Sequence, residues 1–426
     1  MADRSYKWKA RHTVLSILFA TSSVSFMDRM AISIAIPYIA ADYQLTPMTM
    51  GAVMSIFYIG YSITQIPGGL LADIFGVRKV ATIAMLWWSS FTAVTGAAGN
   101  LTQMLTARFL FGLGEGMFPA CSFKTIAVWF PKKDRATATA ILFSSTSIGA
   151  ALAPLAVVAI ISLWGWRAVF FGLSLPGILM SLLFWIFIPD KPSESRLVSP
   201  EELAEIEENG SERPEASTAT PSFLRLVKEP DILKCFFILL AFDIAIWGFT
   251  TWLPTFLVSA RGFSMGQMGL AASLPFLTGA FGCVLGGWVS DKLFSNDRRI
   301  PIIASHLLCA ILLYLTFAET SSRALVLFET LEGFWLMFSL SAVWALPMSI
   351  VPKELMGVAG GFINVAGQIA AFLSPLAIGW LVGNDGGSFD HAFLFLVLAL
   401  IASCGITLTL PGKLSSRRKM EDHKSI

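Results

Sequence analysis

The stretches SIGAALAPLA (147–156) and QIAAFLSPLA (368–377) decide the organisation of this chain, because six of their ten positions are identical. Pro131-Lys132 and Pro352-Lys353 repeat at the same offset. A repeat of this length indicates that one structural unit occurs twice in the same order along the chain. The chain is therefore predicted to consist of two related halves.

The composition excludes a soluble protein. The chain has 426 residues, of which 55% are hydrophobic and only 14% are charged, and its mean hydropathy is +0.70. Soluble domains carry about 25% charged residues. The apolar residues here form runs of about 18 or more, which is the length of a transmembrane helix.

These runs predict an all-α membrane protein with twelve transmembrane helices in two six-helix bundles. The predicted spans are 13–40, 48–72, 80–99, 101–123, 136–160, 166–188, 232–258, 267–290, 300–318, 323–349, 356–383 and 389–411. The N-terminal bundle covers 1–188, a cytoplasmic linker covers 189–231, and the C-terminal bundle with its cytoplasmic tail covers 232–426. Parallel repeats of six helices with a substrate held between them are a transporter architecture.

Basic residues predict the orientation. If both termini are cytoplasmic, the outer loops carry only Arg167, Arg261 and Arg323, and two more arginines, Arg29 and Arg108, lie inside spans. The rest of the thirty Lys and Arg residues then fall on the inner side. The positive-inside rule therefore predicts cytoplasmic termini.

Within the linker, Ser199-Pro200-Glu201-Glu202 predicts the start of a short helix, which Asn209-Gly210 would end. The serine is a typical N-cap, and proline and glutamate favour the first helical turn.

Several function classes find no support in the sequence. The five cysteines are scattered without a CxxC pair, the four histidines form no HExxH pair, and no phosphate-binding GxxxxGK[ST] motif occurs. A metal site and ATP hydrolysis are therefore not expected. A net charge of +2, without a dense basic tract among the spans, gives no reason to expect nucleic-acid binding.

Several ionisable side chains lie deep within the predicted spans, and the ones of interest here are Asp28, Arg29, Arg108, Glu115 and Asp243. Each costs roughly 2.5–3.5 kcal/mol in a bilayer, so these residues must neutralise one another or face a polar cavity. They are either candidates for substrate and proton binding or structural ion pairs.

Arg108 and Glu115 lie seven residues apart in one span, hence on nearly the same helix face and about 10 Å apart along the axis. Counted from the outer end, they lie about 10 Å and about 20 Å deep, and Asp28 lies in the outer half of its span. A proton path from Asp28 to Glu115 is compatible with these depths. Protonation of either acid would accompany anion binding at Arg29 or Arg108, because a bound anion screens the neighbouring arginine.

In the second half, Asp243 is a candidate to line a cavity, as are Asn364 and Gln368, which lie one turn apart on one helix face. Trp344 and, in the first half, Tyr61 suit either ordinary packing or a pocket. Helix packing, snorkelling and a cavity role all remain open for two further acids, Glu329 and Glu332. The glycines of GLGEG (112–116) lie inside an apolar helix with no preceding strand, which favours close helix packing over phosphate binding.

Three motifs resemble a known family. GLLADIFGVRK (69–79) resembles the loop signature of the major facilitator superfamily, and MDR (27–29) with RFLFGLGEGMFPA (108–120) is similar to its anion:cation symporter branch. The resemblance covers essentially the whole membrane portion, from about 13 to 411.

The resemblance implies roles for individual residues. Asp28 and Glu115 would carry protons, Arg29 would pair with Asp28, and Arg108 would engage the substrate anion. Tyr61, Trp344 and Asn364 would complete the pocket.

The resemblance also implies that Asp73, Arg78 and Asp291 form a cytoplasmic latch in the outward-open state. Two positions depart from the family pattern. Ile74 stands where the loop signature usually has a basic residue, which weakens the expected latch. Phe26 stands where relatives that carry sugar acids often have Tyr, which leaves room for smaller or more apolar carboxylates or for sulfonates.

The sequence and its resemblance together predict a proton-coupled symporter that takes up a small organic anion, a carboxylate, sugar acid or sulfonate, by alternating access. The expected setting is the cytoplasmic membrane of a bacterium, as a monomer in contact with membrane lipid, with protons as coupling ions and no other cofactor. A proton-driven exporter of the same superfamily is the nearer alternative. A membrane-embedded enzyme or sensor is more remote, since residues 189–231 are too few for a sizeable soluble domain.

Overall fold

A computed structural model of the chain describes residues 8–207, 229–351 and 356–410, and these ranges contain no β-strand. The helices are α1 Ala10–Tyr43, α2 Pro47–Phe75, α3 Val77–Ala97, α4 Leu101–Glu115, α5 Phe118–Trp129, α6 Lys132–Phe187, α7 Pro200–Glu207, α8 Pro230–Thr255, α9 Met265–Lys292, α10 Arg299–Ala318, α11 Ser322–Ile350, α12 Met356–Asn384 and α13 Asp390–Leu408. A 3₁₀ turn, Pro192–Glu194, precedes α7, and a π-helical turn, Phe256–Ala260, follows α8.

The helices account for twelve membrane crossings. In the described ranges, nine helices are long and apolar enough to cross a membrane. One of them, α6, has 56 residues and bends at Gly165, whose φ of 78° breaks the helical backbone, so it contains two crossings. The helix α2, at 29 residues, and the consecutive helices α4 and α5 supply the other two. The predicted all-α fold with twelve transmembrane helices is confirmed.

The fourth predicted span, 101–123, is wrong as a single helix. The structure ends α4 at Glu115 and begins α5 at Phe118. Pro119, in the first turn of α5, has no N–H to donate to the carbonyl of Glu115, so the helical ladder is interrupted there. The interruption places Glu115 at the end of a helix.

The described residues form two compact units. The first comprises the described parts of Met1–Ile32 and Ile56–Ala216, and the second those of Ser33–Ser55 and Ser217–Ile426. The bundles predicted from chain order would assign 33–55 to the first half instead. Within the second unit this segment packs on α12, since a Cβ at Gly379 would lie 2.4 Å from the carbonyl oxygen of Pro47.

Each unit is held by long helix contacts. In the first, α3 packs against both α6 and α4. In the second, α9 packs against α11, α8 packs against α12 and α13, and α10 packs against α11 and α13. The surfaces in contact are the apolar faces of helices that the hydrophobic runs form.

The predicted linker helix begins where the sequence indicates. The hydroxyl oxygen of Ser199 accepts a hydrogen bond from Glu202 N (3.2 Å), as an N-cap does. The Glu202 carboxylate in turn accepts hydrogen bonds from the backbone N–H groups of Ala10 and Arg11, both at 3.0 Å. The helix α7 therefore caps the start of α1, while the predicted end at Asn209-Gly210 lies outside the described residues.

A second carboxylate of α7 strengthens this attachment. Glu205 lies 2.5 Å from Lys9 Nζ, 3.1 Å from Arg11 Nη2 and 3.0 Å from Lys133 Nζ. These three cations lower the pKa of Glu205 to about 2. The attachment therefore stays charged at any physiological pH.

Glycines allow α2 and α4 to approach closely. A Cβ at Gly112 would lie 2.2 Å from the carbonyl oxygen of Phe57, and a Cβ at Gly60 would lie 2.3 Å from that of Phe109. Gly116 is equally close to the carbonyl oxygen of Tyr61. The packing role predicted for GLGEG is confirmed.

We expect Gly112→Ala to lower the apparent melting temperature of the purified protein in detergent, because the added methyl forces two backbones apart at a cost of about 1–3 kcal/mol. Gly172→Ala in α6 is the matched control, since its Cβ would meet only Ile160 Cδ1, at 3.7 Å. There the gain in helix propensity should leave stability unchanged or raised. Equal melting temperatures for the two variants would contradict the close approach.

Candidate functional site

Four charged groups of the first unit lie buried in its interior. Asp28, Arg108 and Glu115 are each 1% exposed and Arg29 is 9% exposed. The helix α1 carries Asp28 and Arg29, and α4 carries Arg108 and Glu115. Because each bare charge costs roughly 2.5–3.5 kcal/mol in the bilayer, their mutual compensation governs the site.

Arg29 and Glu115 form the strongest pair in this cluster. Arg29 Nη2 donates to Glu115 Oε1 at 2.6 Å, and the hydroxyl of Ser25 donates to the same oxygen at 2.7 Å. The other carboxylate oxygen, Glu115 Oε2, is buried without a hydrogen-bond partner. The pair thus joins α1 to α4 and still has an acceptor to offer.

The expected pairing of Arg29 with Asp28 is wrong in this structure. Both carboxylate oxygens of Asp28 are buried without a hydrogen-bond partner. Adjacent residues of a helix point about 100° apart and do not face each other, and Arg29 donates to Glu115 of α4 instead. Glu115 and Arg108 are the charged groups that act on Asp28 electrostatically.

Arg108 is held by aromatic rings. Its Cζ lies 4.5 Å from the ring centroid of Phe111 and 5.5 Å from that of Phe57, distances at which cation–π attraction operates. Its Nε–H is buried and has no acceptor. The guanidinium therefore has donor capacity left for an anion.

The Arg29 guanidinium is also surrounded by aromatic rings. Its Cζ lies 4.6 Å from the ring centroid of Phe26, 5.0 Å from that of Phe57 and 4.9 Å from that of Tyr61. The structure therefore brings the predicted Tyr61 into the charged cluster. Phe26 supplies an apolar face where a hydroxyl was expected in carriers of sugar acids.

Two contributors were missed in the sequence. Phe57 contacts both guanidinium groups, and Ser25 donates to Glu115. Phe57 lies one turn before Tyr61 on α2, and Ser25 lies one turn before Arg29 on α1, so helical spacing from the predicted residues could have identified them. Phenylalanine and serine are too common in membrane helices to be noticed otherwise.

In the second unit, three predicted polar residues lie on two packed helices. Asp243 of α8 is 8% exposed, and a Cβ at Gly367 of α12 would lie 2.6 Å from its Oδ2. Gly367 stands between the half-buried Asn364 and Gln368. Gln368 Oε1 is buried without a hydrogen-bond partner. Trp344 of α11 is half-buried, and its role in a pocket stays a prediction.

Two acids of α11, left open by the sequence, are fully buried. Glu329 and Glu332 are 0% exposed, and none of their carboxylate oxygens has a hydrogen-bond partner. Snorkelling to the surface does not describe such side chains. In the described ranges, no group of three or more His, Cys, Asp or Glu residues is arranged to hold a metal ion.

The predicted latch residues have partners within their own units. Asp73 forms an ion pair with Lys124 of α5. Arg78 Nε donates to the carbonyl oxygen of Trp185 at 2.7 Å, and its guanidinium lies over the Trp185 ring at 4.4 Å. Asp291 lies 2.8 Å from Arg298 Nη2. A latching role for these residues stays a prediction.

The chain resembles known proteins along nearly its whole length. It matches the description "Major Facilitator Superfamily" over residues 18–375. It is 32% identical over 395 residues to a probable sulfoacetate transporter of Cupriavidus necator, covering 91% of this chain and 90% of the relative. It is 33% identical over 409 residues to a probable galactarate/D-glucarate transporter of Escherichia coli K12, covering 91% of each.

A solved structure shares the fold. The crystal structure of a bacterial homologue of the human lysosomal transporter Spinster, in an inward-facing and unoccupied conformation, aligns with a TM-score of 0.77 and 19% identity, covering 98% of this chain and 99% of that chain. The identity is too low for more than the fold. With the family match, the relatives and the twelve crossings, the chain belongs to the Major Facilitator Superfamily and is a multi-pass inner-membrane transporter, not an enzyme.

Proposed function

We propose that this transporter takes up a small organic anion together with protons, by alternating access, across the cytoplasmic membrane of a bacterium. Relatives at 32% and 33% identity are described as transporters of sulfoacetate and of galactarate/D-glucarate, all small organic anions. The buried cluster of two arginines and two acids supplies the chemistry that such a substrate needs.

One observation carries the proposal. Asp28 is buried with neither oxygen hydrogen-bonded, although Arg108, a cation with an unused Nε–H, acts on it electrostatically. Burial and the neighbouring Glu115 both disfavour the Asp28 charge, and Arg108 offsets part of this through space without a direct bond. A monovalent anion that binds Arg108 replaces that compensation, and Asp28 must then take up a proton for the cluster to stay neutral.

Charge balance explains why the two solutes cross together. With both acids ionised, the cluster of two arginines and two carboxylates has no net charge. Adding an anion and a proton keeps the net charge at zero, whereas adding only one of them leaves an uncompensated charge in the bilayer interior. The neutral states are the ones in which the transporter changes conformation at least cost.

Glu115 has a second role in this scheme. It holds Arg29 through a 2.6 Å bond, and its protonation would weaken that bond and release the guanidinium. Arg29 would then become a second donor for a dicarboxylate or for a sulfonate with a carboxylate. The rings of Phe26 and Phe57 form an apolar wall, which favours compact anions over polyhydroxylated ones.

The proposal also covers the orientation of the chain, its oligomeric state and the role of two amide side chains. Both termini lie in the cytoplasm, as the distribution of basic residues indicates. The unit of transport is a monomer, and protons are the only coupling agent. Asn364, as the family resemblance implies, and Gln368, one turn away on the same helix face, contribute amide groups to substrate binding.

We expect Asp28→Asn and Glu115→Gln to abolish accumulation of sulfoacetate or D-glucarate in proteoliposomes driven by an outside-acid pH gradient. Both variants should retain counterflow exchange, because exchange needs no net proton movement. The readout is radiolabelled anion uptake with and without the gradient. Gradient-driven accumulation that survives in both variants would contradict proton coupling, and acceleration only by an inside-acid gradient would point to the exporter.

We expect Arg108→Gln to weaken anion binding by about 10-fold to 100-fold, because one charge-assisted hydrogen bond is worth about 1.5–3 kcal/mol. The measurement is a thermal-shift titration with sulfoacetate, D-glucarate and short carboxylates. Arg167→Gln, which changes an exposed arginine of the first unit, is the control and should bind normally. Unchanged binding by Arg108→Gln would show that the anion binds elsewhere.

A further inference from the structure

A cavity lies in the first unit, apart from the charged cluster, between the start of α1 and the start of α6. Its volume is about 560 Å³, within the range of ~300–1,000 Å³ that is typical of ligand pockets. Trp8, Arg11 and Asp134 line its polar part, and Leu15, Phe19 and Ile141 line its apolar part. The lining of the cavity therefore changes from polar to apolar along the axes of α1 and α6.

Arg11 gives the polar part an unused donor. The residue is 6% exposed, and its Nη2 donates to Glu205 at 3.1 Å. Its Nη1 is buried without a hydrogen-bond partner, and the nearest acid on that side, Asp134 Oδ2, lies 3.6 Å away. A guanidinium carries five N–H donors in a fixed fork that matches the oxygens of a phosphate. Arg11 Nη1 is therefore free to donate to a phosphate bound in the cavity.

The surroundings favour an anionic group in the polar part. Lys9 and Lys133 lie beside Arg11 around Glu205, and Lys132 and Arg135 flank Asp134 in the chain. The cations of this region outnumber the acids Glu202, Glu205 and Asp134. A phosphate is attracted to such a surface.

The apolar part of the cavity indicates which kind of molecule the phosphate belongs to. Leu15 and Phe19 lie within the predicted first span, whereas Trp8 precedes it and is 64% exposed. Tryptophan is enriched at the head-group level of membranes. A free inorganic anion would leave the apolar wall without a contact, whereas a lipid places its phosphate at Arg11 and its first methylenes against the apolar side chains.

We propose that this cavity binds the head group of an anionic phospholipid, with the phosphate accepting hydrogen bonds from Arg11 Nη1. With the predicted orientation, the lipid belongs to the cytoplasmic leaflet. The site is independent of the proposed anion transport, since it shares no residue with the charged cluster. The lipid bridges α1 and α6 at the point where the linker helix α7 is attached.

Asp134 gives the proposal a directional consequence. Its carboxylate competes with the phosphate for Arg11 and repels it. Asp134→Asn should therefore bind the anionic lipid more tightly than the unchanged protein. A head group with a primary ammonium, such as ethanolamine, would instead lose a partner in the same variant.

The test is native mass spectrometry of the full-length protein in detergent, titrated with dioleoyl-phosphatidylglycerol, dioleoyl-phosphatidylcholine or water-soluble glycerol 3-phosphate. We expect phosphatidylglycerol to bind about tenfold more tightly than phosphatidylcholine, and Arg11→Gln to remove that preference. Glu205→Gln breaks the same ion pair but keeps the Arg11 guanidinium, so it should keep the preference. Asp134→Asn should increase it.

Other outcomes would overturn the proposal. A preference that survives in Arg11→Gln would place the lipid elsewhere, and equal binding of glycerol 3-phosphate would assign the site to a soluble anion. Weaker phosphatidylglycerol binding in Asp134→Asn would contradict an anionic occupant. If Arg11→Gln fails to fold, the Asp134→Asn and Glu205→Gln results decide alone.

Discussion

The need to compensate charge inside an apolar bundle governs the first unit of this transporter. Arg29 and Glu115 satisfy one another through a direct 2.6 Å bond. Asp28 and Arg108 do not, since no hydrogen bond reaches the Asp28 carboxylate. Two opposite charges that interact without a hydrogen bond can each take another partner. In the proposed transport cycle, Arg108 takes the anion and Asp28 takes the proton.

The scaffold around these charges depends on small and aromatic residues. Gly112 and Gly60 allow α2 and α4 to meet at backbone contact, which brings Phe57 and Tyr61 of α2 beside the arginines. Aromatic rings stabilise guanidinium groups without neutralising them. The arginines are thereby held in place while their charge remains available to a ligand.

The sequence predicts most of the fold and part of the site. Apolar runs define the spans because a bilayer demands about twenty apolar residues per crossing. The sequence predicts one helix across Pro119, but the backbone hydrogen bonds of that helix are interrupted after Glu115. The packing of 33–55 within the second unit depends on contacts between distant segments such as Pro47 and Gly379, which no local pattern reveals.

The charged residues of the site were predictable because ionisable groups are rare in membrane spans. Their partners were not. Neighbours in the chain, Asp28 and Arg29, suggest a pair by proximity, but helical geometry directs them apart and gives Arg29 to Glu115. Ser25 and Phe57 carry no charge, so only the structure shows that they contact the charged groups.

In the proposed mechanism, an anion and a proton bind together so that the charged cluster stays neutral. Proton uptake on anion binding tests this most directly. Calorimetry of the purified protein with a saturating monovalent anion, repeated in buffers of different ionisation enthalpy, measures the protons bound per anion. Linkage predicts uptake of about one proton per monovalent anion, and its loss in Asp28→Asn. Anion binding without proton uptake at any pH between 5 and 8 would contradict the account.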